Sequence, residues 1–160
     1  MIRAIFLDVD GTLISFSTHE IPASARRALT QAHERGVRLF IATGRAANDL
    51  GPLEGIPYDG VVSLNGARCV ANDGRVVSLH PIPRADFERA LALSEEQDFA
   101  MGLELEEGVF VNRVTPDVKR VAHMVAHPVP EQTDLRELFG RVECCQLCFY
   151  FEAETQRRVM

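Results

Sequence analysis

The sequence has a single lysine, Lys119, among its 17 basic residues, so chemistry that needs a lysine side chain has one candidate. It has no long apolar run. Stretches such as Ala4–Leu7 and the one beginning at Val142 are of strand length, whereas a membrane span needs about 18 or more consecutive apolar residues. Positive charge is also in short supply: 17 basic residues stand against 23 acidic ones, for a net charge of −6 and a pI near 5.4. Nucleic acid and anionic membrane surfaces attract clustered positive charge, so neither is expected as a partner. Met1-Ile2-Arg3 leads at once into a strand and an Asp-rich turn with no signal peptide, and the expected location is cytoplasmic. The four cysteines are then expected to stay reduced. What remains is ordinary globular composition, 46% apolar and 25% charged over 160 residues. A chain of that length buries roughly two-thirds of its unfolded surface.

Along the first 80 residues the pattern is that of an α/β unit. Ile2–Leu7 reads as a buried strand of a parallel sheet. Ser24 is the expected N-cap of a helix bearing Ala25, Ala28, Leu29 and Ala32, which Gly36 ends. Val37–Ala42 is a second strand, Ala46–Leu50 a short helix, and Val61–Leu64 a third strand. This strand, helix, strand, short helix, strand order is a βαβαβ unit with right-handed crossovers. Asp8/Asp10, Thr43/Gly44 and Ser63/Asn65 all fall at carboxyl ends of strands, the edge where open α/β sheets bind ligands. Asn72-Asp73-Gly74 between apolar runs predicts a hairpin. His80-Pro81-Ile82-Pro83 suits neither a helix nor a central strand and marks a domain boundary.

The second half, 81–160, reads as an αββα-type unit on an antiparallel sheet. Helices are expected over Arg84–Gln97, from Thr115-Pro116-Asp117 onward with proline at the first helical position, over Asp134–Phe139, and from Glu152 to Arg158. Strands are expected over Phe99–Leu105, Val109–Val111 and Val142–Phe151. Residues three apart on a strand point to opposite faces, so Cys145 and Cys148 are not expected to chelate together. No second Cys or His pair follows at zinc-site spacing, and the five histidines share no spacing that suggests chemistry.

Asp8-Val9-Asp10-Gly11-Thr12, directly after a strand, is the sharpest chemical signal. A carboxylate at a strand end can attack phosphorus and form an aspartyl phosphate. A second carboxylate two residues on can protonate the leaving oxygen and later take a proton from water. Gly11 lets the backbone turn its amides toward phosphoryl oxygens. Two neighbouring carboxylates also invite a cation, and Mg²⁺ is usual where phosphate is a second ligand. Read singly, the other clusters have plainer explanations. Thr43-Gly44 also suits a plain strand end, Arg45 a solvated arginine at a helix start, and Asn65-Gly66 a turn.

Together, L-D-V-D-G-T, I-A-T-G-R and S-L-N-G-A resemble the haloacid dehalogenase-like phosphatases, specifically the Cof-type branch with a large α/β cap inserted after the third core strand. The resemblance implies a Rossmann-like parallel core over 1–80 and part of an inserted α+β cap over 81–160, both incomplete. It implies Asp8 as nucleophile and Asp10 as general acid/base, with Mg²⁺ held by Asp8 and by the backbone carbonyl of Asp10. Gly11, Thr12, Thr43 and Gly44 would bind the phosphoryl group, and Arg45 and Asn65 would face the substrate. The expected substrate is a small phosphorylated metabolite such as a sugar phosphate. The family also uses a phosphate-binding lysine and a late acidic loop. Lys119 lies within a predicted cap helix and no such loop follows, so the chain reads as the N-terminal portion of such an enzyme, of doubtful activity alone. Unfinished sheet edges would allow a homodimer. A phosphohexose mutase, a receiver-like phosphoacceptor domain and a non-catalytic fragment are the competing readings.

Overall fold

The computed structural model describes residues 2–152 apart from Phe16, His19 and Ala126. The chain divides into two compact units, Met1–His80 and Pro81–Met160.

The first unit is a five-stranded sheet in sequential order, β1 (Ala4–Leu7), β2 (Arg38–Ala42), β3 (Gly60–Ser63), β4 (Arg68–Ala71) and β5 (Val76–Leu79). The first three strands are parallel and the last two antiparallel. Helix α1 (Ala23–Glu34) makes the first crossover. It ends as the glycine predicts: Gly36 has φ +83°, its amide donates to His33 O at 2.9 Å, and the Val37 amide to Ala32 O at 3.1 Å. This is the paired closure that a left-handed residue permits. Asn72-Asp73-Gly74 makes the expected hairpin, with Gly74 at φ +83°.

Three expectations for this unit are corrected. Residues 46–50 form no helix, and only a short 3-10 turn follows at Gly51–Leu53. Five residues are too few to repay helix nucleation, and Gly51-Pro52 blocks extension. Ser24 lies in the first turn of α1 rather than at its cap, which is Pro22, with no side-chain hydrogen bond. Proline's fixed φ sets the chain's entry into the helix without one. Finally, β1 is an edge strand with Phe6 63% exposed and stacked on Phe40. Only its other face, Ile5 and Leu7, joins the cluster of Leu29, Leu39, Ile41, Leu53 and Val61 under α1.

The second unit runs α2 (Arg84–Glu96), β6 (Ala100–Leu105), β7 (Gly108–Val111), α3 (Pro116–Met124), β8 (Glu131–Gln132), α4 (Leu135–Phe139) and β9 (Gln146–Tyr150). Its sheet order is β8-β7-β6-β9. Thr115 caps α3 through the Val118 amide at 3.3 Å. Asp134 caps α4 through the amides of Arg136 at 2.9 Å and Glu137 at 3.1 Å. Both satisfy amide donors that a helix start leaves orphaned. The two-residue β8 was not expected and pairs parallel with β7, so the sheet is not purely antiparallel. β9 is shorter than the run Val142–Phe151, because hydrogen-bonded pairing with β6 covers only Gln146–Tyr150. Residues 153–158 of the helix expected from Glu152 lie outside the described residues. Among the described residues, no helix is long and apolar enough to cross a membrane.

Candidate active site

The site is built on the alternation of one strand as it ends. Val9 is buried to 1% exposure in the core, so the residues on either side of it, Asp8 and Asp10, emerge on the exposed side. The chain then turns tightly. Val9 O accepts the amides of Leu13 at 3.0 Å and Ile14 at 2.8 Å, and Gly11 N donates to Ile14 O at 2.8 Å. Gly11 has φ +80°, a conformation that a side chain strains. Thr12 Oγ1 folds back to donate to Asp8 Oδ2 at 2.8 Å. Thr12, expected on the phosphate, thus sits on the proposed nucleophile.

Asp10 is held differently. Arg45, 35 residues away, donates from Nε to Asp10 Oδ2 at 2.9 Å and from Nη2 to Asp10 Oδ1 at 2.8 Å. This is a bidentate carboxylate–guanidinium fork, the strong form of the ion pair. The Asp10 carboxylate raises the Arg45 pKa above its ordinary value, and partial burial opposes it. The remaining nitrogen, Nη1, donates to the backbone O of Asp49 at 3.1 Å and to its Oδ2 at 3.3 Å. Sequence reasoning missed Asp49. Its signal is modest, an acidic residue four positions after an arginine.

The second and third strand ends meet in one network. Thr43, 6% exposed, accepts the Arg45 amide on its Oγ1 at 3.2 Å. Its carbonyl accepts the Asn65 amide at 3.1 Å, and Arg45 O accepts the Leu64 amide at 3.1 Å. Leu64 and Asn65 both have positive φ, 49° and 54°, which aims the Asn65 side chain at Gly44. A Cβ on Gly44 would lie 3.2 Å from Asn65 Oδ1 and 3.3 Å from its Nδ2, so glycine makes room for the amide. Ser63 is fully buried, and its hydroxyl donates to Arg68 O at 3.3 Å, which gives it a structural role. The fold therefore joins Asp8 with Thr12, Asp10 with Arg45, Arg45 with Thr43, and Gly44 with Asn65.

The resemblance places Mg²⁺ on a carboxylate oxygen of Asp8 and on the backbone carbonyl of Asp10. Among the described residues no three His, Cys, Asp or Glu side chains converge as ion ligands, and Arg45 engages both side-chain oxygens of Asp10. Mg²⁺ prefers six oxygen ligands in octahedral geometry, and these residues do not fit it by themselves. Lys119 is exposed on α3. No disulfide joins the four cysteines, and the Cys148 thiol is pushed up to about 12, first by burial and then by Glu104.

A parallel-stranded α/β core with a D-x-D-G-T turn at its first strand end, backed by T-G-R and N-G turns on the next two, defines a class of phosphoryl-handling folds. The model of the haloacid dehalogenase-like hydrolase family matches residues 5–158, and the chain belongs to that family. It is 53% identical to BT1666 from Bacteroides thetaiotaomicron, a phosphatase of this superfamily, with a TM-score of 0.92 over 100% of this chain and 60% of that one. BT4131, a sugar phosphatase of subclass IIB, matches with 29% identity and a TM-score of 0.83, covering 98% of this chain and 62% of its own. YkrA of Bacillus subtilis (strain 168), whose name describes it as a candidate phosphatase, is 30% identical over 95 residues, 59% of this chain and 36% of that protein. The chain thus spans less than two-thirds of the length of each of these relatives.

Proposed function

We propose that the protein hydrolyses phosphomonoesters through an aspartyl-phosphate intermediate. The observation that carries this reading is that two carboxylates two residues apart have unlike partners. Asp8 accepts from a neutral hydroxyl, and Asp10 is gripped by a guanidinium. The guanidinium favours the ionised form of Asp10, the form that takes water's proton in the second step, so Asp10 must be protonated against that charge to act as the acid in the first. In the first step an oxygen of Asp8 attacks phosphorus, the bond from phosphorus to the ester oxygen breaks, and Asp10 in its acid form protonates that leaving oxygen. In the second step water attacks the phosphorus of the aspartyl phosphate and gives its proton to the Asp10 carboxylate. The acyl phosphate P–O bond then breaks, restoring Asp8 and releasing inorganic phosphate.

Thr43 and the Gly44 and Gly11 backbone belong to this reading as phosphoryl-binding groups, and Asn65 as a group toward the substrate. Mg²⁺ enters through family membership, with Asp8 as the carboxylate here that would meet it and further ligands needed beyond those these residues supply. The substrate class proposed is a small sugar phosphate, supported by the likeness to the sugar phosphatase BT4131.

The test is to quench the intact protein in acid during turnover and locate the modification by peptide mass spectrometry. A phosphoryl group on Asp8, and its loss together with turnover in Asp8→Asn, is the expected result. Substantial turnover of p-nitrophenyl phosphate by Asp8→Asn would overturn the reading. Product analysis separates the mutase alternative, which yields an isomerised sugar phosphate instead of free phosphate.

A further inference from the structure

Resting on that reading, we propose that Asp49 is a positioning residue: it anchors one end of the Arg45 guanidinium and thereby fixes the carboxylate of Asp10. Asp10 stands on a glycine turn with its side chain 42% exposed. What aims it is the fork of Nε and Nη2. A guanidinium is planar, so its remaining nitrogen decides the plane of the fork. That nitrogen, Nη1, is held twice by Asp49, through carbonyl and carboxylate. The other end of Arg45 is also fixed, with its amide on Thr43 Oγ1 and its carbonyl on the Leu64 amide. The long side chain is therefore restrained at its root and at its tip. Asp49 is in turn placed by the turn that stands where a helix was expected, its amide donating to Ala46 O at 3.1 Å. A regular helix through 46–50 would carry the Asp49 carbonyl along its own axis. The irregular loop leaves that carbonyl turned to Arg45. Proton transfer depends steeply on the placement of the donor, so loosening Arg45 should be felt at the ester oxygen and little at substrate binding.

The first test needs no turnover and uses the 160-residue chain. Solvent exchange of the Arg45 Nε–H, followed by ¹⁵N NMR, is expected to quicken about threefold or more in Asp49→Ala, because the carboxylate brace on Nη1 is removed and only the backbone carbonyl of residue 49 remains. Backbone amides of β1–β3 should keep their wild-type exchange. Unchanged exchange at Nε overturns the proposal, and so does general loss of protection, which would make Asp49 merely structural. The second test is a double-mutant cycle in the intact protein supplied with Mg²⁺. Asp49→Ala should lower kcat on an alkyl phosphate by about threefold or more with KM within about twofold, and should slow p-nitrophenyl phosphate less, since p-nitrophenolate leaves without a proton and only the second step then draws on Asp10. Asp49→Asn, which keeps an acceptor oxygen, should recover most of the loss. In an Asp10→Asn background, Asp49→Ala should cost nothing further. Additive losses, or a rise in KM in place of a fall in kcat, overturn the proposal. Turnover that survives Asp8→Asn sinks the phosphoryl reading instead and leaves the exchange result standing.

Discussion

The two units place their polar side chains by different logics. In the first, one face of the sheet packs on a single apolar cluster, and the three parallel strands stop at a common edge. Asp8, Asp10, Thr43, Arg45 and Asn65 all emerge at that edge. In the second, both faces are covered. Phe87, Leu91, Met101, Leu103 and Leu135 pack on one side, and Ala100, Val111, Val118 and Tyr150 on the other. Several of its ion pairs are exposed ties between or along helices, such as Arg136 with Glu88 and Glu95. Such pairs contribute little to stability and converge on nothing. The parallel arrangement gathers chemistry because each crossover returns the chain to start again from the same end. The antiparallel one scatters its loops to both ends.

The largest effect that would sharpen this comparison is chemical and confined to the first unit. Asp8→Asn should cost roughly 10³-fold or more in turnover, because it removes a covalent nucleophile. No exposed carboxylate of the second unit, Glu88 or Glu95 for example, should approach that loss when changed to Gln.

Core truncation should weigh equally on both units. Phe87 has no exposure and stacks on Phe139 with ring centroids 4.1 Å apart, and Leu39 likewise has no exposure. Phe87→Ala is expected to cost about 3–5 kcal/mol and Leu39→Ala about 2–5 kcal/mol, read by denaturant unfolding. A loss under about 1 kcal/mol at either would show that cluster to be loosely packed.

Each sheet also has one glycine that its neighbour strand requires. A Cβ on Gly60 would lie 2.9 Å from Val70 O, and one on Gly102 would lie 2.9 Å from Phe110 O. Both clashes are with backbone, so Gly60→Ala and Gly102→Ala should each destabilise by about 1–3 kcal/mol. The second unit should lose stability at alkaline pH. The Cys148 thiol is raised to about 12 by burial, against about 8.5 in an unfolded chain. The native state therefore holds this proton more tightly. Its contribution is complete below about pH 8.5 and is lost as pH rises toward about 12. Cys148→Ser should flatten that decline, measured as stability against pH between 8 and 10.

The smallest contrast lies at the helix starts. Asp134→Ala removes a cap that accepts two amides and should cost about 1 kcal/mol, whereas Ser24→Ala, at an uncapped start, should change stability by less than about 0.5 kcal/mol. Equal effects would mean that Ser24 does act as a cap in solution.

What the sequence determined by itself were features whose cause lies within a few residues, although the cap expected at Ser24 and the helix expected over 46–50 show that local signals can also compete. The strand before Asp8, the turn at Gly11, the stop at Gly36, the Asp73-Gly74 hairpin and the helix starts near Thr115 and Asp134 all follow from local sterics and local hydrogen bonds. The edge shared by Asp8, Thr43 and Asn65 was legible too, because strand–crossover–strand order puts successive strand ends on one side. Tertiary structure alone decided the rest. The fork of Arg45 on Asp10 joins residues 35 apart, and the Asp49 anchor follows from a loop that replaced the expected helix. The β7–β8 pairing and the edge position of β1 depend on which neighbours a strand finds. A single residue's propensity is worth a fraction of a kcal/mol and is blind to such neighbours. A guanidinium fork or a strand pairing is gained only after the intervening chain has closed, so its outcome is set by the whole fold.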